Sequence, residues 1–193
     1  MPHFGIEQRG PRMVVVLTST GDFELSLDEL RAVARYGAQS AQEVLPIFEA
    51  ANPEDLRPRA AIDAAMTFAD GAARTNLQRA TALDAHRAAK EATTDAARYA
   101  ASAAGDAAAA AYLHPLAKAT QVGHILRAAA NAARAAELSA GNDHASGSAL
   151  IEKARGRATP TVIDVLRRYP HAPTGTTRVA RLMRALDDSL RAP

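Results

Sequence analysis

The chain has no cysteine and no tryptophan, and only 4% of its residues are aromatic. Without cysteine there is no disulfide framework, no thiolate-held zinc and no cysteine nucleophile, a composition that fits the reducing cytoplasm. Long apolar runs are missing too. The longest, around Ala107–Ala111, is far short of the roughly 20 residues a membrane-spanning helix needs. Met1–Arg12 carries charges but no apolar core, which predicts no secretory signal. Neither sign of charge is in excess: 23 Lys and Arg face 21 Asp and Glu, for a net charge of +2, and no block of five or six like charges occurs. Nucleic-acid binders usually concentrate a basic patch, so this balance argues against that class. No GxSxG, Walker loop or HExxH is present, and the 11 glycines are scattered rather than gathered into a phosphate-binding loop.

What the chain has is alanine, about a quarter of all residues. Alanine has the highest intrinsic helix propensity and little preference for strands. At 193 residues the length suits one domain with a sizeable core. Together these predict an all-α, single-domain bundle of about seven to eight Ala-rich helices. Residues 1–22 read as a disordered or extended N-terminal arm and 23–193 as the helical domain, with 140–193 forming C-terminal helices packed on it. Val14–Leu17 is the only β-like run.

Helix boundaries follow from caps and prolines. Ser26-Leu27-Asp28-Glu29 has capping-box form. Pro46 falls inside a helical pattern over Ala38–Ala50 and predicts a kink or break. Pro58 suits a first helical position, and that helix runs to about Asp70. Ala72–Ala92 continues with Leu77, Ala80 and Ala88 on one side and Gln78 among the polar positions. Asp95–Tyr112 is nearly uniform alanine and reads as the central helix, because small side chains let backbones approach closely. His114-Pro115 predicts the start of a further helix to about Ala140, with His124, Arg127, Asn131 and Arg134 on a polar stripe. Helices over 146–157, from Thr159-Pro160 and over Thr176–Arg191 complete the chain.

Most charged residues fit intrahelical pairs at i,i+4: Arg59 with Asp63, Asp70 with Arg74, Arg87 with Glu91, Asp164 with Arg168, and Asp187 with Arg191. Two groups stand out as functional candidates. His86, His114 and His124 lie on or beside the central helices and could serve as a metal site assembled from distant residues, although structural histidines are the commoner outcome. Arg57-Pro58-Arg59 opens a helix and could recognise an acidic partner surface. The full set of partner-binding candidates is Arg57, Arg59, Asp63, Arg74, Asp84, His86, His114, Lys118, His124 and Arg127. Nothing in the pattern calls for a catalytic residue or a cofactor.

Several segments resemble the Imm-five-like immunity proteins of bacterial toxin systems. They are Glu43-Val44-Leu45-Pro46-Ile47-Phe48-Glu49, Arg57–Ala65, Asp84–Ala89, Ala111-Tyr112-Leu113-His114 and His124. The stretch from Gly141 onward adds nothing to the likeness. The resemblance implies an all-helical protein that binds and neutralises a cognate toxin, and the lack of a catalytic motif predicts that it is non-catalytic. Two alternatives remain open: a metal-binding or hydrolytic helical protein using His86, His114 and His124, and a nucleic-acid-associated helical protein. The alanine stripes also raise the expectation of a homodimer.

Overall fold

The computed structural model describes residues 22–192, so Val14–Leu17 and nearly all of the N-terminal arm lie outside it. Among the described residues there are nine α-helices and no strand. They are α1 (Leu27–Gln42), α2 (Leu45–Ala51), α3 (Arg57–Ala69), α4 (Asn76–Glu91), α5 (Asp95–Ala109), α6 (Val122–Ser139), α7 (His144–Arg157), α8 (Pro160–Arg167) and α9 (Arg178–Arg191).

The boundaries have local causes. Ser26 Oγ accepts from the Glu29 amide at 3.2 Å while the Ser26 amide donates to Glu29 Oε2 at 2.7 Å, closing the capping box of α1. Pro46 breaks rather than kinks its segment: α1 stops at Gln42, and Pro46 falls in the first turn of α2, where its missing N–H costs nothing. Gly71, at φ +114°, ends the α3 region in a conformation that only glycine adopts freely. Helix α4 then starts later than the alanine pattern suggests, at a second capping box formed by Thr75 and Gln78. That cap rotates the buried face. Leu77 and Ala80 are exposed, while Gln78 is buried and donates Nε2 to the Ala64 carbonyl at 3.2 Å.

The predicted helix start at His114-Pro115 does not form. Backbone groups there are drawn into other bonds: the Asp22 amide donates to the Pro115 carbonyl at 2.8 Å, and the Ala117 amide to Asp22 Oδ2 at 2.6 Å. The stretch between two 3-10 turns, Ala110–Tyr112 and Ala119–Gln121, is therefore irregular, and α6 begins at Val122. Residues Gly141 and Asn142, at φ +73° and +68°, turn the chain out of α6.

Helix α5 is the centre of the bundle and touches α1, α2, α3, α4 and α6. Ala97, Ala100, Ala101, Ala103, Ala104, Ala107 and Ala108 are all buried there. The alanine surface of α5 is thus covered by helices of the same chain. The core has two parts. One is alanine-rich and gathers α2–α5 around Val44, Phe48 and Ile62. The other carries larger aliphatic groups, including Ile125, Leu126, Val165, Leu166, Leu182 and Leu186, where α1, α6, α8 and α9 meet. A fully buried Leu or Ile contributes about 1.5–3 kcal/mol and a methyl far less, so the second part supplies more stabilisation per residue.

Ion pairs between elements replace most of the intrahelical pairs anticipated from spacing. Asp70 sits beyond the end of α3 and pairs with Arg35 at 2.9 Å rather than with Arg74. Arg59 takes Glu49 and Arg168 takes Glu29, while Arg87 stays within α4 and takes Asp84, three residues before it. Asp187 does keep Arg191, at 2.7 Å. Glu137, fully buried on α6, is bound by Arg134 at 2.8 Å and by Arg178 of α9, which ties the C-terminal helices to the rest.

Candidate functional site

His86, His114 and His124 come together, although they sit on three separate elements. They line one open cleft of about 320 Å³. Helix α4 supplies Arg79, Ala82, Leu83 and His86, the end of α5 supplies Ala109, and the turn and irregular segment after it supply Tyr112 and His114. His124, in the first turn of α6, completes the lining. The irregular 113–118 segment, which the sequence suggests as helix, is what carries His114 to this edge.

The walls are held by polar bonds that leave the cleft itself free. Tyr112 donates its hydroxyl to the Thr75 carbonyl at 2.7 Å. The Arg74 guanidinium lies over the Tyr112 ring, 5.4 Å from its centroid, and donates to the Ala111 carbonyl at 3.0 Å. The His114 amide donates to Gln121 Oε1 at 3.0 Å, and its carbonyl accepts from the Tyr169 hydroxyl at 2.9 Å.

Beneath the histidines lies Asp106, a carboxylate only 2% exposed. Arg127 donates Nε to its Oδ1 at 2.9 Å, Asn131 donates Nδ2 to its Oδ2 at 2.7 Å, and His86 Nε2 is 3.7 Å from Oδ1. The charge is therefore matched within the fold, as a buried carboxylate requires. Asp106 is the residue the sequence reading passes over, hidden in the alanine of α5. Its signal was available. The polar stripe of α6 carries Arg127 and Asn131, and Asp106 is the one acid in the alanine run Ala100–Ala111.

His124 is pushed towards its neutral form. Burial lowers its pKa from the ordinary 6.5, and the charges of Arg127 and His114 act in the same direction, against the smaller opposing pull of Asp106 and the Ala109 backbone. Its Nδ1 is buried and has no partner among the described residues.

The remaining candidates do not line the cleft. Arg57 is committed to Asp55 at 2.7 Å and to Glu91 at 2.5 Å, and Arg59 to Glu49 at 2.5 Å, so the Arg57-Pro58-Arg59 start has its guanidinium groups already matched by carboxylates. Asp84 pairs with Arg87 at 2.7 Å. Asp63 and Lys118 are exposed.

The three cleft histidines do not draw their nitrogens close enough to form a metal-ligand cluster. Among the described residues, the group that does so is His171, Asp187 and Asp188. Its carboxylates are already bound, Asp187 by Arg191 at 2.7 Å and by the Ala172 amide at 2.9 Å, and Asp188 by Arg184 at 2.9 Å. This group fastens the loop after α8 to α9.

Residues 24–157 match the family described as "Imm-5 like putative immunity protein". The chain belongs to that family. The match spans well over half of the chain and takes in α1–α7, including every residue lining the cleft. It also reaches past Gly141, where the sequence likeness faded, to the end of α7. In this member of the immunity family α8 and α9 lie outside the matched region, yet Arg178 of α9 supplies a counter-charge to Glu137 within it. No curated protein and no solved structure matches the chain. No helix of the described residues is long and apolar enough to cross a membrane.

Proposed function

We propose that this chain is a cytoplasmic, non-catalytic immunity protein that binds and neutralises a toxin, and that the histidine-lined cleft is the centre of its binding surface. Membership of the immunity family supports a protein partner. The observation that carries the choice of surface is the face of α4 beside the cleft, where Arg79, Leu83 and His86 follow one another at helical spacing. Leu83 is 53% exposed there. A large aliphatic group left in water at the rim of a concave site suits a contact surface. Arg79 and Tyr112 add residue types that dominate interface energetics. The Arg57 and Arg59 region supports this role less, because internal ion pairs occupy it.

The test is protection. The genes flanking this one are cloned, any whose product arrests growth is expressed with and without the chain, and growth and co-purification are measured. Leu83→Glu and Arg79→Glu, both on exposed positions, are expected to abolish protection while leaving the helical circular dichroism and melting unchanged. Full protection by both variants would move the binding surface elsewhere, and failure of the unaltered chain to bind or protect would end the immunity reading.

A second reading, a metal-binding or hydrolytic protein, draws on the convergence of His86, His114 and His124 in one cleft. Metal content of protein purified without chelators, compared between the unaltered chain and a His86→Ala, His124→Ala variant, decides it.

A further inference from the structure

We infer that the cleft is a receptor for a carboxylate, namely the side chain of an acidic residue that the protein partner inserts between α4 and α6. This rests on the interface proposed above and names its chemistry.

The first argument is the sign of the lining. Arg79, His86, His114 and His124 face the space, and among the described residues no carboxylate does. Arg79 has no carboxylate within ion-pairing distance among the described residues, whereas Arg57, Arg59, Arg87 and Arg127 all do. Asp106, 3.7 Å from His86, is 2% exposed and already bound by Arg127 and Asn131. It anchors the site from below without neutralising Arg79.

The second argument is the ring of His124, which lines the cleft and is held towards its neutral form by burial and by Arg127. Protonation would make it a further positive charge beside the space. An arriving carboxylate would offset the burial, Arg127 and His114 contributions that now favour the neutral ring. Charged groups facing His124 from the packed elements are Arg79 and His86 on α4, Asp106 on α5, His114 on the irregular segment and Arg127 on α6, with the Tyr112 hydroxyl already bonded to Thr75. Seating of an anion is therefore coupled to proton uptake.

The third argument is the wall. Ala82, Leu83 and Ala109 bring apolar surface to the same space. Partial exclusion of water strengthens an ion pair relative to one on an open surface. A volume of about 320 Å³ accommodates an Asp or Glu side chain with part of its backbone.

The full chain is titrated with glutarate, and the imidazole Cε1–H signals are followed by NMR, with His144 and His171 as internal references. Expected are saturable shifts confined to His86, His114 and His124, tighter binding at pH 6 than at pH 8, affinity weakened about tenfold in Arg79→Glu, and no response to glutaramide. Shifts spread evenly over all the histidines, or equal shifts with glutaramide, would overturn the receptor. So would zinc binding that requires all three histidines and is indifferent to Arg79→Glu. Inorganic phosphate binding more tightly than glutarate would overturn the choice of carboxylate. The two readings fail separately. Loss of partner capture in Leu83→Glu with no glutarate response keeps the interface and removes the receptor. Glutarate binding with partner capture unchanged in Arg79→Glu and Leu83→Glu removes the partner's acid as its occupant.

Discussion

The imidazole of His86 rests on the bare backbone of Gly105: a methyl group there would stand 2.8 Å from both Cε1 and Nε2 of the ring. Only the lack of a side chain in α5 lets His86 settle over the helix within reach of Asp106. Gly105→Ala is expected to push the ring outward into the cleft. The gain of about 1 kcal/mol from replacing glycine inside a helix offsets the strain, so thermal stability should change little. The His86 Cε1–H signal should lose its sensitivity to Asp106→Asn, which NMR titration of the two variants checks.

Glu137 ties three helices. It lies fully buried on α6, accepts from Arg134 and Arg178, and has room only because α7 passes it with Gly147, where a Cβ would come within 2.5 Å of Glu137 Cγ. Glu137→Gln removes the charge that both guanidinium groups face, though Arg134 keeps its bond to Asn142, and should cost about 1.5–3 kcal/mol, measured by urea unfolding. Arg178→Ala should cost less, because Arg134 remains. The double variant should fall short of the sum of the two.

Stability should decline on acidification in two steps. His124 has a pKa below its ordinary 6.5 in the folded chain, so the unfolded chain takes up its proton first. Its contribution is complete above pH 6.5 and is lost as pH falls through the lowered folded value. Glu29, Glu43 and Glu137 lie below the ordinary 4.5. Burial alone would raise them, but bonds from Arg168, from Lys153 with Arg157, and from Arg178 with Arg134 reverse that effect. Their contributions are present above about pH 4.5 and are lost below it. Unfolding free energies measured from about pH 2 to 8 should show both steps, and His124→Gln should flatten the upper one alone.

Crowding around α5 should make size, rather than polarity, the limiting property there. Ala101 is fully buried among close helices, and Ala101→Leu should destabilise by about 1–3 kcal/mol or more through overpacking. Ala80 is exposed on α4, and Ala80→Leu should stay within about 0.5 kcal/mol. Equal melting temperatures for the two variants would contradict the close packing of α5.

Legibility differed from residue to residue. Ser26 with Glu29, Pro58, and Thr159 with Pro160 announce helix starts, because a side-chain cap or a first-turn proline acts within a few residues of itself. The grouping of His86, His114 and His124 as candidates was readable, but their shared cleft was not, since it depends on how α4 and α6 flank the end of α5. Asp106 was overlooked because its partners, Arg127 and Asn131, are 21 and 25 residues away. The ion pairs of Arg59, Asp70 and Arg168 were misassigned for a related reason. Helix spacing proposes a neighbour four residues off, while folding brings Glu49, Arg35 and Glu29 closer or in better geometry.

The sequence by itself determined that the chain would be helical, where most helices begin, and that its centre would be alanine, because propensity and capping act over one or two turns. Tertiary structure alone decided that α4 turns Gln78 inward and Leu77 and Leu83 outward, that 113–118 stays irregular, and that three distant histidines meet above a buried aspartate. Those outcomes depend on which surfaces find each other at long range, and a nearly uniform alanine face carries little local information about its partner.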